Sequence, residues 1–233
     1  MNWPYTLTML AAIVCCSVLL RRNQTRLNLP WWQKLAIGGG AFVGAMIGAK
    51  LPFALWDWEG LRTGAVWFAH GKTILCGIVG GYLGVEYVKW SLGLTIKTGD
   101  TFAVPVAVGV AIGRIGCYVG QCCYGTPTDL PWGVVFPKVD TLHRHPAQLY
   151  EFAFHVVMAI TLLCLQAGGL FKGQLIKLYI IAYLIYRFAS EFIRPEARVV
   201  LGITAYQAGA LALLPVFILL WLRDARRSVT LEI

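Results

Sequence analysis

Charged residues are scarce in this 233-residue chain, and the acidic ones are fewer than the basic ones. Asp, Glu, Lys and Arg together make up 13% of the residues, whereas hydrophobic residues make up 58%. Because a soluble domain carries about 25% charged residues, this composition excludes an ordinary soluble protein. It indicates an integral membrane protein.

The basic residues are also not clustered, although the formal net charge is +9. They stand singly at the ends of apolar runs, which is typical of residues that set membrane topology rather than of a surface that follows phosphates. We therefore predict no nucleic-acid partner. Tryptophans near the ends of the runs fit an interfacial aromatic belt: Trp3, Trp31, Trp32, Trp56, Trp58, Trp90 and Trp132.

Features of a processed or divided protein are missing as well. The first apolar run lacks a cationic segment before it and a small-residue cleavage site, so we predict a retained span rather than a signal peptide. Cys15 does not end a lipobox, because Ile13 and Val14 precede it. Without a linker or low-complexity segment, residues 1–233 are predicted to form one integral-membrane domain, and the lack of a strong internal repeat argues against an inverted-repeat transporter.

Seven apolar runs are long enough to approach the ~20 residues that a membrane span needs. They predict an all-α protein with seven transmembrane helices around a polar cavity, at roughly Tyr5–Leu20, Leu35–Leu55, Thr73–Trp90, Phe102–Gly120, Gln148–Leu165, Leu175–Phe192 and Val199–Leu222. Eleven Lys and Arg residues then lie on one side and six on the other. The positive-inside rule places the N-terminus outside and the C-terminus in the cytoplasm.

Charged residues interrupt two of these runs at positions that suggest function. Arg114 interrupts the fourth, and Arg187 and Glu191 interrupt the sixth. An arginine at membrane depth costs at least ~2.5 kcal/mol, so such residues indicate a functional site. Arginine suits a phosphate group because its planar donor fork carries a permanent charge. The runs therefore predict an internal polar cavity for an anionic ligand.

Three segments resemble one family in both sequence and order. They are Gly113-Arg114-Ile115-Gly116 with the following Thr128–Pro137 stretch, the octet Arg144-His145-Pro146-Ala147-Gln148-Leu149-Tyr150-Glu151, and Tyr186–Pro195. These segments resemble bacterial prolipoprotein diacylglyceryl transferases, seven-span enzymes of the inner membrane. A glycine-rich stretch, Gly77–Gly81, is similar to that family's motif in the third span.

The resemblance implies a reaction and a set of site residues. The diacylglyceryl group of phosphatidylglycerol would pass to the lipobox cysteine in the signal-peptide region of a preprolipoprotein, releasing glycerol-1-phosphate on the periplasmic side, with no cofactor and no metal. The implied catalytic residues are Arg114, Arg187, Glu191, Glu151 and His145. Substrate binding would involve Arg114, Gly116, Arg144, Gln148, Tyr150, Arg194, Gly77, Gly80 and Tyr5. Glu151, Glu191 and His145 remain alternative bases for the acceptor thiol.

The chain departs from the family pattern at several positions. The family histidine of the third-span motif corresponds to Leu75, and the glycine after it to Cys76, while His70 lies five residues upstream. After Gly-Arg-Ile-Gly, where the family has two asparagines and a glutamate, the chain has Cys117, Gly120 and Cys122. These differences predict a divergent member.

The three cysteines Cys117, Cys122 and Cys123 leave several interpretations open. Packing or a disulfide on the oxidising side is one, and a role in thiol catalysis is another. Zinc binding together with His143 or His145 is a third, although the spacing matches no common structural zinc pattern.

Structural interpretations stand beside the functional ones. Arg187 and Glu191, four residues apart, can form a purely structural ion pair, and His145 can cap the next helix. The glycines of the second and third spans can serve helix packing. Two alternative functions also stay open for the chain as a whole. One is transfer or cleavage of a lipid group with another acceptor, and the other is phospholipid binding without catalysis.

Overall fold

The computed structural model describes residues 3–68, 71, 73–200 and 202–230, and it is mostly helical. Helices form at α1 (Trp3–Gln24), α2 (Trp31–Trp56), α3 (Trp58–Thr63), α4 (Ala65–Phe68), α5 (Ile74–Ser91), α6 (Gly99–Gly120), α7 (Ala147–Ala167), α8 (Leu175–Ser190) and α9 (Ala205–Thr230). A 3-10 turn covers Glu191–Ile193. Two short antiparallel pairs join β1 (Val134–Val135) to β2 (His143–Arg144) and β3 (Arg198–Val200) to β4 (Ile203–Thr204).

Each predicted span falls largely on one of the seven long helices. Five of these, α1, α2, α6, α7 and α9, are long and apolar enough to cross a membrane. The other two are shorter, with 18 residues in α5 and 16 in α8. The all-α class and the membrane character are confirmed, while the count of seven spans and the orientation stay predictions.

The predicted start of the last span, Val199, is wrong by about one and a half turns. Arg198–Val200 and Ile203–Thr204 form the β3–β4 pair instead, and α9 begins at Ala205. The cause is a capping box: Gln207 N donates to Thr204 Oγ1 at 3.2 Å, and Thr204 N donates to Gln207 Oε1 at 3.0 Å. This reciprocal pair satisfies two free helix-end donors and sets the first turn of α9.

The described residues group into two compact units, one from residues 1–26 and 98–233 and the other from residues 27–97. In the larger unit α1 packs on α6, α6 on α7, and α8 on α9. Close approach of α1 to α6 depends on small residues, since a Cβ on Gly116 would lie 2.6 Å from Thr8 Oγ1. The core of this unit includes the fully buried side chains of Tyr179, Tyr183 and Leu162.

The smaller unit is built on the contact between α2 and α5. Gly44 and Gly48 of α2 face Gly80 of α5, and Gly40 faces Gly84, with backbone against backbone. Small residues spaced in this way let two helices approach closely. Helix packing is therefore what these glycines do in the structure.

The long loop of residues 121–146 is folded against the helix ends that flank it. Thr126 N donates to Ile193 O at 2.8 Å, and Gly125 N donates to His145 O at 2.8 Å. The β1–β2 pair and the buried Phe136 ring give the loop its own small core. The loop thus holds the end of α6, the start of α7 and the 3-10 turn in register.

Candidate active site

Glu151, in the first turns of α7, is the centre of a buried polar cluster. Its Oε2 atom lies 2.5 Å from Arg114 Nη2 and 2.8 Å from Arg194 Nη2. Its Oε1 atom accepts a hydrogen bond of 2.8 Å from Tyr183 Oη. Glu151 itself has no exposed surface. One carboxylate therefore joins residues from all three segments that the sequence analysis singled out.

Local structure explains why these groups meet. Arg114 lies one and a half turns before the end of α6, on the face that packs against α7. Pro146 is the N-cap of α7, and Glu151, five residues later, lies in the second turn of the helix. Arg194 follows the 3-10 turn in an extended conformation, with φ −105° and ψ 146°. The change from helix to extended chain brings its side chain to Glu151.

Arg187 and Glu191 form a second buried ion pair, with Arg187 Nη2 2.8 Å from Glu191 Oε2. Their spacing of four residues predicted this contact. The Arg187 guanidinium also lies over the ring of Tyr206, 4.4 Å from its centroid, which is a cation–π arrangement.

The positive charges of this region outnumber the negative ones. Three guanidinium groups, of Arg114, Arg187 and Arg194, face two carboxylates, of Glu151 and Glu191. Among the described residues, Arg114 Nε, Arg187 Nη1 and Arg194 Nε are buried donors without a hydrogen-bond partner. Buried donors of this kind are costly unless something accepts their hydrogen bonds. The arrangement suits an anionic ligand with several acceptor oxygens.

Two members of the cluster were missed by the sequence analysis. Tyr183 binds Glu151 directly, and His155 Nε2 lies 3.7 Å from Glu151 Oε1. The buried hydroxyl of Tyr179 is 2.9 Å from the other ring nitrogen of His155. A signal for both residues was present in the sequence. His155 lies four residues after Glu151, and Tyr183 lies four residues before Arg187, so each shares a helix face with a predicted site residue.

Other predicted site residues make their polar contacts in the loop. Arg144 pairs with Asp140, donates to Gly125 O at 3.3 Å and lies over the Tyr124 ring. His145 Nδ1 lies 3.2 Å from Tyr150 Oη, which also accepts a 2.8 Å hydrogen bond from Trp132 Nε1. These contacts are made with the loop and not with Glu151, and roles for Arg144, His145 and Tyr150 in catalysis or substrate binding stay predictions.

The Arg144–Asp140 pair gives a testable pH dependence. Hydrogen bonds from Arg144 lower the pKa of Asp140 below its ordinary value. The pair therefore stabilises the loop above the unfolded-state pKa of about 3.9, and that stabilisation is lost as the pH falls through the lower folded-state pKa. We expect Arg144→Met to raise the pKa of Asp140, measured by carboxyl-carbon NMR of aspartate-labelled protein.

The neighbouring cation Lys138 provides a matched control. Its backbone N donates a hydrogen bond to Gln121 Oε1, and this bond does not depend on the lysine side chain. Lys138→Met should leave the pKa of Asp140 nearly unchanged. Equal shifts in both variants would contradict a specific Arg144–Asp140 pair.

Three cysteines lie together at and just after the C-terminal end of α6. The sulfur atoms of Cys117, Cys122 and Cys123 are all within 4.8 Å of one another, and each is a free thiol. Arg114 Nη1 lies 3.9 Å from Cys117 Sγ, and Gln148 Nε2 donates to Cys122 O at 2.6 Å. The cysteine cluster thus adjoins the Glu151 cluster. His143 does not belong to it, since its Nδ1 contacts Gly133 O at 3.2 Å.

The predicted glycine and tyrosine sites lie at helix contacts. Gly116 faces Thr8 and Met9 of α1, and the ring of Tyr5 lies against Gly120. In the smaller unit Gly77 faces Ala45 and Ala49 of α2, and Gly80 faces Gly44. Substrate binding by Tyr5, Gly77, Gly80 and Gly116 stays a prediction. Leu75, at the position of the family histidine, is buried, and His70 lies outside the described residues.

The similarity of the chain to known proteins extends over nearly its whole length. A family model described as prolipoprotein diacylglyceryl transferase matches residues 2–223. The chain belongs to the prolipoprotein diacylglyceryl transferase family. The predicted family and its transferase class are therefore confirmed.

Similar proteins carry the name phosphatidylglycerol–prolipoprotein diacylglyceryl transferase. One, of Clostridium tetani, is 31% identical over 82% of this chain and 79% of its own length. Another, of Chromohalobacter salexigens, is 30% identical over 83% of this chain and 74% of its own. The protein of Legionella pneumophila strain Corby is 34% identical, over 64% of this chain and 61% of its own length.

Proposed function

We propose that this chain transfers the diacylglyceryl group of phosphatidylglycerol to the lipobox cysteine of a preprolipoprotein, with release of glycerol-1-phosphate. The observation that carries the proposal is the pair of buried arginines, Arg114 and Arg194, held on one buried carboxylate. Family membership supports the same reaction.

The arginine cluster matches the demands of the leaving group. When the C–O bond between diacylglycerol and phosphate breaks, its electron pair stays with the phosphate oxygen. Donors already fixed in a buried site stabilise this developing charge without reorganisation. Arg114, Arg187 and Arg194 each have one buried N–H free for such an oxygen. We assign them to the phosphate.

Glu151 is assigned to positioning rather than to proton removal. Oε2 is engaged by two guanidinium groups, and Oε1 already accepts from Tyr183. A carboxylate held in this way has little capacity left for a proton from the acceptor thiol. Its role is to fix the two arginines so that their other donors point at the phosphate. Glu191 does the same for Arg187.

The proposed setting is a bacterial inner membrane, with seven spans, the N-terminus outside and the active side facing the periplasm. The uneven distribution of lysines and arginines supports this orientation. The end of α6, the loop of residues 121–146, the start of α7 and the segment after α8 then share the outer side. Phosphatidylglycerol would enter from the bilayer and the signal-peptide region of the acceptor from the same leaflet.

Turnover of purified protein in nanodiscs tests the proposal. Phosphatidylglycerol and a lipobox peptide are supplied, and both glycerol phosphate and the mass of the peptide are measured. We expect equal amounts of glycerol phosphate and modified peptide, and a loss of at least about 100-fold in kcat for Arg114→Gln, since one oriented donor to a developing anion is worth that much.

The exposed Arg62 offers a matched control, because Arg62→Gln removes the same charge from the surface. It should retain wild-type turnover. Normal turnover by a folded Arg114→Gln protein would contradict the assignment of Arg114. Absence of product from the wild-type protein with phosphatidylglycerol would contradict the reaction itself.

A further inference from the structure

The cysteine cluster has the geometry of a metal site. Zinc–sulfur bonds of about 2.3 Å at tetrahedral angles place sulfurs about 3.8 Å apart. The three sulfurs of Cys117, Cys122 and Cys123 already lie within 4.8 Å of one another. Shifts of about 1 Å, by side-chain rotation, therefore suffice for three thiolates to bind one ion.

The backbone that brings the sulfurs together is unusual. Gln121 and Cys123 both have left-handed conformations, with φ 57° and φ 61°, which are rare for residues other than glycine. Hydrogen bonds hold this turn: Gln148 Nε2 donates to Cys122 O, and Lys138 N donates to Gln121 Oε1. Such strained residues persist where the surroundings over-determine them, often at functional sites.

Positive charge lies close to the three sulfurs. Arg114 Nη1 lies 3.9 Å from Cys117 Sγ, and the adjoining cluster has three guanidinium groups for two carboxylates. A zinc ion with three thiolates carries a net charge of −1, which this surplus positive charge stabilises.

Within the described residues, the group of potential metal ligands at this place contains three members and no fourth. Zinc sites with four protein ligands are structural, whereas those with three protein ligands leave a position for water or substrate. Cys123 is exposed, while Cys117 and Cys122 are half-buried. The remaining position can therefore be reached from outside the helix bundle.

We propose that Cys117, Cys122 and Cys123 bind a zinc ion whose fourth position takes the sulfur of the acceptor cysteine. This inference deepens the proposed function and rests on it for the identity of the acceptor. Zinc binding was one of the interpretations that the sequence left open for these cysteines, and the convergence of their sulfurs favours it over the expectation of no metal.

The reaction balances without an oxidant or reductant. The acceptor thiol binds zinc and loses its proton to solvent at the exposed side, since a coordinating thiol is deprotonated. Its sulfur forms a bond to the glyceryl carbon, whose C–O bond breaks, and the electron pair leaves with the phosphate near Arg114. The product thioether is uncharged, so it binds zinc less well than the thiolate and departs.

Cobalt(II) provides the first test, because its thiolate complexes absorb strongly and report the number of bound sulfurs. We expect metal-free protein to bind one equivalent of Co²⁺ with a thiolate charge-transfer band, and zinc to displace it. Cys117→Ser, Cys122→Ser and Cys123→Ser should each weaken the band, whereas Cys164→Ser, at an exposed cysteine of α7, should not. Absence of the band from reduced wild-type protein, or its persistence in the triple serine variant, would overturn the site.

The second test separates the metal site from the proposed reaction. A lipobox peptide added to the Co²⁺ protein should raise the band by roughly one third, as three bound thiolates become four, while the peptide with serine in place of cysteine should not. Turnover should fall at least tenfold on chelation and return with Zn²⁺. Full turnover by metal-free protein would overturn the zinc proposal and leave the transferase intact. A peptide-dependent band without any turnover would support the site and overturn the proposed reaction.

Discussion

Glu151→Gln should lower both the stability and the turnover of this transferase more than any other single change. The substitution keeps the shape of the side chain but removes the only carboxylate bonded to Arg114 and Arg194 within the described residues. Removing one partner of a buried ion pair lowers the free energy of unfolding by about 3–5 kcal/mol, because the remaining charge stays buried without a counter-charge. Thermal unfolding in detergent, followed by tryptophan fluorescence, measures the loss of stability.

The pair Lys89–Glu86 supplies the control, because its carboxylate is half-exposed although Lys89 is buried. The two residues lie three positions apart on α5, 2.8 Å from each other, and helical pairs with this spacing contribute about 0.2–0.5 kcal/mol. Glu86→Gln should therefore unfold close to the wild-type temperature. A Glu151→Gln protein as stable as Glu86→Gln would show that Glu151 is not the structural centre of the site.

A double variant tests whether the arginine is the cause. If the loss comes from an uncompensated charge, Arg194→Met in the Glu151→Gln background should cost less than Arg194→Met in the wild type. Coupling between residues that share a network is about 0.5–3 kcal/mol. Strict additivity of the two changes would contradict the shared-carboxylate geometry.

Gly80→Val is expected to destabilise the smaller unit strongly. The Cβ of residue 80 would meet the backbone of Gly44 and Gly48, with 2.9 Å to Gly48 Cα. Backbone cannot move aside as a flexible side chain can, so α2 and α5 must separate. Overpacking typically costs about 1–3 kcal/mol, and a helix contact made of backbone should lie at the upper end of that range. Loss of cooperative unfolding at a lower temperature is the expected result.

Gly38 and Gly39 of α2 are matched controls, because a Cβ at either position meets nothing within 4 Å. Gly39→Val should leave the unfolding temperature close to the wild type. Gly77→Ala serves a different purpose, since its nearest neighbour would be Ala49 Cβ at an acceptable 3.4 Å. A stable Gly77→Ala protein with reduced turnover would support substrate binding at Gly77, and unchanged turnover would argue for packing alone.

Several features of the site could be predicted from sequence because they are local. Long apolar runs identified the helices, since a span must satisfy its backbone internally. The ion pair of Arg187 and Glu191 followed from the helical repeat, and it lies within hydrogen-bonding distance in the structure. The octet ending at Glu151 and the segment around Arg187 were sufficient to indicate the family.

The partners of Arg114 could not be predicted in this way. Arg114 and Glu151 lie on different helices, and Arg194 reaches Glu151 across 43 positions of sequence. Helix packing decides which faces of α6 and α7 meet. Nearly all residues of these runs are apolar, so the sequence does not show which face of each helix points into the protein. The start of α9 was misjudged for a related reason, because the apolar residues of the β3–β4 pair look like helix in composition.

The sequence by itself determined that this protein is helical, that it belongs in a membrane, which family it resembles, and that Arg114, Arg187 and Glu191 interrupt its apolar runs. The tertiary structure decided that Glu151 binds Arg114, Arg194 and Tyr183, that His155 lies beside them, and that three cysteines converge next to Arg114. Helical periodicity and hydropathy act between near neighbours along the chain, whereas these contacts arise from helix packing and from a left-handed turn after α6.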